Sequence, residues 1–327
     1  MAENERDTRN LPSPPGEGWM IRTVGLRIDY EEVTAVQDLN LSIARGEIYG
    51  LIGPNGAGKT STIRALAALL EPTYGEVYIA GIDAMEHPEE AYKIIGYMPD
   101  DPPVYEELKV WEFLDLFAAA HFLPPPKRQE RIDACLQMVN LESKRDALVG
   151  TLSRGMKQRL VLAKTLLHDP QVLLLDEPAS GLDPGARIEL REMLKRFGQM
   201  GKTILISSHI LTELSDFCTS IGIMEKGSMV VSGPIEEIVT RMTPHKTLVV
   251  DLLVFDERAV ALIERALKVK QIRVKGSQIL VAFEGSTKEA AELLATLIQE
   301  RIYVKAFYEH KTDIEDIFLK VGAREVS

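Results

Sequence analysis

The chain is poor in cysteine, in long apolar runs and in positive charge, and each shortage excludes a class of protein. Of its 327 residues only two are cysteines. Cys135 and Cys218 lie 83 positions apart, without metal-ligand spacing. Neither a disulfide framework nor a thiolate metal site is expected, and free thiols in a reducing compartment are the simplest reading. No apolar run approaches the roughly 18 residues that suggest a bilayer-spanning helix. The best stretch, 247–255, is broken by Asp251, so the chain is not expected to span a membrane by itself. The N-terminal MAENERDTRN is polar and mixed in charge, unlike a secretory signal. There are 38 Lys and Arg against 49 Asp and Glu, a net charge of −11. Residues 245–327 carry 13 of each sign, leaving 25 basic and 36 acidic residues before them. An acidic main portion argues against nucleic acid as a partner, because phosphate backbones need basic surface.

What is present suits a large soluble core. The chain is 45% hydrophobic, and its length suggests two domains. Residues 1–18 are polar and rich in Pro and Gly, and are expected to be a disordered tail. Alternation predicts strands over 20–30 and 35–43, with another over 76–80. From 110 to 168 the pattern turns helical, over 111–122, 127–139 and 153–167. Strands return at 172–175, 203–207, 220–224 and 229–232, with helices at 184–197 and 210–217 between them. Such alternation implies a parallel sheet covered by helices. The helical block reads as an inserted subdomain. After Pro244 the predicted order is β-α-β-β-α-β, the ferredoxin-like pattern, followed by an amphipathic helix over 314–321.

Residues 53–60 read GPNGAGKT and fit G-x-x-x-x-G-K-[ST], with Gly53, Gly58, Lys59 and Thr60 at the defining positions. An apolar strand, 47–52, enters the loop and a helical run, 61–70, leaves it. The glycines let backbone N–H groups curl around phosphate oxygens. The helix start adds unpaired N–H groups and a positive dipole end. Lys59 suits the β- and γ-phosphates of a nucleotide, and Thr60 suits Mg²⁺. Pro54, Asn55, Gly56, Ala57 and Ser61 complete the cradle.

Residues 172–178 read VLLLDEP, an apolar strand ending in two acids. Asp176 suits Mg²⁺, and Glu177 suits a general base for an attacking water. Alone, the pair could be an ordinary polar strand end. Residues 152–158 read LSRGMKQ before a helix, where Ser153 could cap the helix or bond a phosphate. Gly155 permits close backbone approach. Residues 180–183 read SGLD, which alone is a common turn, and His209 follows two serines after an apolar run, where a core histidine would be ordinary.

The order of these motifs resembles the nucleotide-binding domain of the ABC ATPase family, over roughly residues 20–242. The resemblance implies an α/β fold with a phosphate-loop core, a mixed sheet and an inserted helical subdomain at about 82–168. This core would occupy 19–243, followed by a small α+β ferredoxin-like module over 244–327. It implies MgATP hydrolysis at two sites of a head-to-tail dimer, either a homodimer or a heterodimer. Ser153 and Gly155 of one subunit would contact the γ-phosphate held by the other. Asp183 would communicate between sites, His209 would hold the γ-phosphate and attacking water, and Tyr30 would stack on adenine, although a plain strand tyrosine is the alternative. Two residues depart from the pattern. Arg154 replaces the second signature glycine, and Asp100 stands where glutamine usually offers an oxygen to Mg²⁺ and water. Asp100 keeps an oxygen ligand but loses a donor and adds charge.

The tail 313–320, DIEDIFLK, is similar to the LEDxFL ending of drug- and sodium-efflux exporter ATPases. That points to a peripheral subunit on the cytoplasmic face of a membrane, acting on a separate permease. The groove beside Asp100 would receive a coupling helix. Trp111 and Phe113 lie close by, although helix packing explains them more simply. The alternative is a soluble ABC ATPase acting on ribosomes or DNA. Against it stand the single phosphate loop, the acidic charge, and the absence of sustained heptads between Thr60 and Leu152.

Overall fold

Strand alternation at the start of the chain produces a hairpin that stands apart from the main sheet. The computed structural model describes residues 18–310 except 102, 243–245 and 267. The predicted N-terminal tail (but for Gly18) and the predicted C-terminal helix lie outside the described residues. The chain divides into two compact units, meeting at Pro234 and Ile235.

In chain order the first unit contains β1 (Trp19–Tyr30), β2 (Val33–Ala44), β3 (Ile48–Ile52), α1 (Lys59–Leu66), β4 (Tyr74–Ile79), β5 (Ile82–Asp83), α2 (Pro88–Tyr92) and β6 (Ile95–Met98). Next come α3 (Val110–Ala120), α4 (Pro125–Met138), α5 (Arg154–Leu166), β7 (Val172–Leu175), α6 (Pro184–Gln199), β8 (Thr203–Ser208), α7 (Leu211–Ser215), β9 (Ser220–Glu225) and β10 (Ser228–Pro234).

These strands form two sheets rather than one. The first is antiparallel, in the order β2-β1-β4-β5. Its inward positions, Ile21, Leu26, Ile28, Val36, Leu39, Leu41, Ile43, Val77 and Ile79, are at most 1% exposed. They share one core with Ile63 and Leu66 of α1 and with Tyr49, Leu51 and Leu174 of the second sheet. Burying each such side chain contributes about 1.5–3 kcal/mol. The alternation predicts the strands of the first sheet but cannot tell which sheet they join.

The second sheet runs β10-β9-β3-β8-β7-β6. It is mixed: β10 pairs antiparallel with β9, and the other neighbours are parallel. The residues of β3, β7 and β8 are buried throughout, as strands covered on both faces require. Strand β6 and the short helix α2 were not expected from the sequence, because four and five residues are too few to establish a period. Helix α7 is shorter than its predicted span of 210–217.

Helices α3, α4 and α5 pack together through Phe113, Leu114, Ile132, Leu136 and Leu160, all at most 1% exposed. The rings of His121, which ends α3, and His168, which follows α5, stack with centroids 4.0 Å apart. His168 Nε2 lies 2.8 Å from the Ile95 carbonyl. Both cysteines are buried and free.

The second unit begins with α8 (Ile235–Met242), also unexpected from the sequence, and continues with β11 (Lys246–Leu252), α9 (Glu257–Arg265), β12 (Val269–Lys275), β13 (Gln278–Phe283), α10 (Thr287–Gln299) and β14 (Val304–His310). Its sheet is antiparallel, in the order β12-β13-β11-β14. Val250, Ile279, Val281 and Phe283 share a core with Ile263 of α9 and Leu297 of α10. Ser286 and Glu289 form a reciprocal cap that starts α10.

Candidate active site

Four neighbouring parallel strands deliver the predicted chemistry to one edge of the second sheet. The phosphate-binding loop follows β3, His209 follows β8, Asp176 and Glu177 follow β7, and Asp100 follows β6. Ligands of open α/β sheets bind at such carboxyl ends.

The loop and its surroundings enclose an open cavity of about 540 Å³. Asn55, Gly56, Ala57, Gly58, Lys59, Thr60 and Ser61 line it, together with Asp100, Glu177, Lys226 and four residues of β2. Gly53 and Pro54 do not line it, but their carbonyls accept from Lys59 Nζ at 2.7 and 3.2 Å. Gly53 cannot carry a side chain, because a Cβ there would collide with the Met224 carbonyl. Tyr30, at the end of β1, does not line the cavity. Its hydroxyl donates to Ser61 Oγ at 3.3 Å, and the residue is 42% exposed.

Glu177 is held on both carboxylate oxygens. Lys59 Nζ lies 3.4 Å from Oε1, and His209 Nδ1 lies 2.9 Å from Oε2. An ionised carboxylate only accepts, so the Nδ1 proton belongs to His209. Glu177 has φ 45°, an uncommon conformation for a side-chain-bearing residue. Its backbone N–H donates to Ser207 Oγ at 2.9 Å, and Ser207 Oγ donates in turn to Asp176 Oδ1 at 2.7 Å. Ser207 and Asp176 are both 1% exposed. Ser207 belongs to the serine pair before His209 and has no role legible in the sequence, because its partners Asp176 and Glu177 lie on the neighbouring strand end.

Asp100 sits among like charges. Partial burial pushes its carboxyl above the usual range, reinforced by Asp176, Glu177 and Asp101, while Arg154 acts in the opposite sense. Crowded, hard carboxylate oxygens beside a threonine hydroxyl fit Mg²⁺, which takes one or two carboxylates and completes its shell with phosphates and water. Among the described residues no group of three or more His, Cys, Asp or Glu side chains forms a metal centre by itself.

Ser153, Gly155 and Asp183 do not line the cavity. Ser153 caps α5, accepting from Met156 N–H at 3.3 Å, and Asp183 caps α6, accepting from Ala186 N–H at 3.0 Å. Gly155 faces Ala186, so the two helix starts lie side by side. Phe113 is wholly buried, and the Arg145 guanidinium lies 5.6 Å from the Trp111 ring centroid, so helix packing accounts for both aromatics. A mostly apolar cleft of about 240 Å³ lies between α6 and α7. Its arginines, Arg187 and Arg191, are engaged by Glu213 and Asp216, which leaves the phosphate chemistry to the larger cavity.

Comparison with known proteins agrees with this geometry. Residues 36–180 match the family described as ABC transporter. The chain is 32% identical over 321 residues to Nod factor export ATP-binding protein I of Ralstonia nicotianae, covering 96% of this chain and 98% of that one. It is 32% identical over 307 residues to a bacitracin transport ATP-binding protein of Bacillus licheniformis, covering 92% and 97%. Among solved structures, an ATP-binding subunit of an ABC transporter matches with TM-score 0.61 and 32% identity, covering 68% of this chain and 92% of that one. A dimeric bacterial ABC transporter cassette matches with TM-score 0.60 and 26% identity, covering 66% and 99%. The phosphate-binding loop, the acidic strand end and this full-length similarity lead to one assignment: the chain belongs to the ABC transporter ATP-binding proteins and is an ATPase of that family.

Proposed function

We propose that the chain is the ATP-hydrolysing subunit of an exporter, working from the cytoplasmic face of a membrane on a separate permease. The observation that carries the chemistry is Glu177 clamped between Lys59 and His209 at the mouth of the phosphate-binding loop. ATP lies with its phosphates against the backbone of 55–61 and its adenine on Tyr30. Lys59 moves from its carbonyl partners to the β- and γ-phosphates. Glu177 accepts a proton from water as the water oxygen bonds to the γ-phosphorus. The bond from that phosphorus to the bridging oxygen breaks, releasing ADP and phosphate. His209 orients the carboxylate and the γ-phosphate. Thr60, Asp176 and Asp100 are the residues that would hold Mg²⁺, which when bound neutralises phosphate charge.

Two copies close on ATP, with Ser153 and Gly155 of one facing the γ-phosphate held by the other and Asp183 communicating between the sites. The dimeric cassette among the similar structures supports this arrangement. Opening after hydrolysis drives the permease between its two states. Among the described residues no helix is long and apolar enough to cross a membrane, which fits a division of labour with a permease. Export is supported by the Nod factor export relative. We assign the second unit to the ferredoxin-like class on its element order and its sheet order β12-β13-β11-β14. It serves as a packing or interaction module.

Purification of the tagged chain from native membranes in mild detergent tests this reading. A polytopic protein in fixed ratio, lost when the region around Asp100 is altered, is the expected result. Recovery of an active ATPase free of any membrane partner would overturn it in favour of a soluble ABC ATPase.

A further inference from the structure

Arg154 stands where the related signature pattern has glycine, and its side chain has a particular neighbour. The guanidinium occupies the space that a Cβ on Gly181 would need. Gly181 also has φ 67°, in the left-handed region that L side chains rarely adopt. Arg154 is the first residue of α5, next to the capping Ser153, whereas Gly181 lies in the turn between Glu177 and α6. The contact therefore joins the signature segment to the turn that follows the acidic strand end.

That turn is tied at both ends. Ser180 N–H donates to the Glu177 carbonyl at 2.9 Å. On the other side Arg187 Nε donates to the Leu182 carbonyl at 3.0 Å, and the Asp183 cap fixes the start of α6. Glu177 is itself held through its N–H by Ser207. A displacement at the start of α5 thus passes through Arg154 to Gly181, and through one hydrogen bond to the backbone of Glu177. Arg154 is also a positive charge acting on the Asp100 carboxyl, so the two departures from the family pattern lie within each other's field.

We propose that Arg154 is a positioning residue for hydrolysis, its guanidinium locking the turn 179–183 to the first turn of α5 and so coupling the signature segment to Glu177 of the same chain. The proposal rests on the reading of Glu177 as the base. The guanidinium suits the task because it is flat and rigid and lies over bare backbone. Lysine offers a compact charge on a flexible stem and cannot replace it.

A double-mutant cycle in the full chain tests the lock. Arg154→Ala, Gly181→Ala and the double variant are compared with wild type by kcat and KM for MgATP hydrolysis and by melting temperature. Backbone strain from Gly181→Ala is common to both backgrounds and cancels, whereas collision with the guanidinium requires Arg154. Gly181→Ala pushes aside the far end of an exposed, flexible side chain, which costs little packing energy but opens the lock, so it should lower kcat about tenfold more with Arg154 present than with Arg154→Ala. Arg154→Lys should behave like Arg154→Ala. Equal losses in both backgrounds would overturn the lock. Coupling confined to melting temperature, with kcat additive, would overturn the positioning role. Wild-type turnover in Glu177→Gln would instead overturn the base assignment, so the two failures are distinguishable.

Discussion

Ser207→Ala removes one oxygen atom and breaks two bonds that hold the acidic pair. The hydroxyl donates to Asp176 Oδ1 at 2.7 Å and accepts from Glu177 N–H at 2.9 Å, at a position 1% exposed. Alanine leaves a buried carboxylate oxygen without its donor and a backbone N–H without its acceptor. A hydrogen bond to a charged group contributes about 1.5–3 kcal/mol, and an orphaned buried N–H costs about 1–3 kcal/mol. Together they predict a loss of about 2.5–6 kcal/mol. For a unit of roughly 200 residues, each kcal/mol lowers the melting temperature by about 2–4 °C. A fall of about 10 °C is therefore expected in a thermal melt followed by circular dichroism. Glu177 also loses the bond that holds its backbone at φ 45°. The carboxylate should then wander, and kcat should fall at least about tenfold with little change in KM, as expected for a group that acts on the transition state. A melting temperature within about 2 °C of wild type, together with unchanged kcat, would refute the reasoning.

The remaining predictions concern charge. Glu177→Gln keeps the shape of the base but cannot take a proton; it should abolish turnover and accumulate an ATP-bound dimer by light scattering at saturating MgATP, and a monomer there counts against the scheme. Asp100 is pushed up by burial and by Asp176, Glu177 and Asp101, so folding favours its protonated form. Its stabilising contribution is whole below the ordinary aspartate value of 3.8 and is lost as pH rises through the elevated folded value. Asp100→Asn should therefore raise the melting temperature at pH 7 in metal-free buffer, with no gain below pH 3.8; a lower melting temperature at pH 7 contradicts this. Burial, with stacked His121 and the nearby Arg131 and Lys202, holds His168 down to about 4. The neutral imidazole is favoured, so its contribution is intact above about 6.5 and drains as pH falls to about 4. His168→Gln should flatten the acid limb of the melting curve in that window, and parallel pH profiles for variant and wild type would rule this out.

The parts legible in the sequence were those where one segment suffices. The phosphate-binding loop carries its glycines, lysine and threonine in eight consecutive residues, and the apolar run 172–175 is the strand β7. The element order β-α-β-β-α-β after Pro244 rests on similarly local patterns. What stayed hidden depends on distant pairing. Nothing within 20–30 says that β1 pairs with β2 and β4 in a separate sheet. A serine inside an apolar strand does not announce that it will lie between Asp176 and Glu177, 31 and 30 positions away. Arg154 shows in the sequence only as a departure from the signature pattern, because its neighbour Gly181 lies on another loop. Local chemistry is visible in the sequence, and the contacts that orient it are not.

The scarcity of cysteine has a practical consequence. Burial raises both native thiols, Cys135 to about 11 and Cys218 higher still. At neutral pH the reactive thiolate is therefore scarce at both. The wild-type chain is already a quiet background for maleimide chemistry. A single cysteine placed at exposed Val33, beside the phosphate-binding loop, or at exposed Tyr105 would be the one fast-reacting thiol. Spin labels or fluorophores at such sites could follow the approach of two copies during turnover, with no native residue first removed.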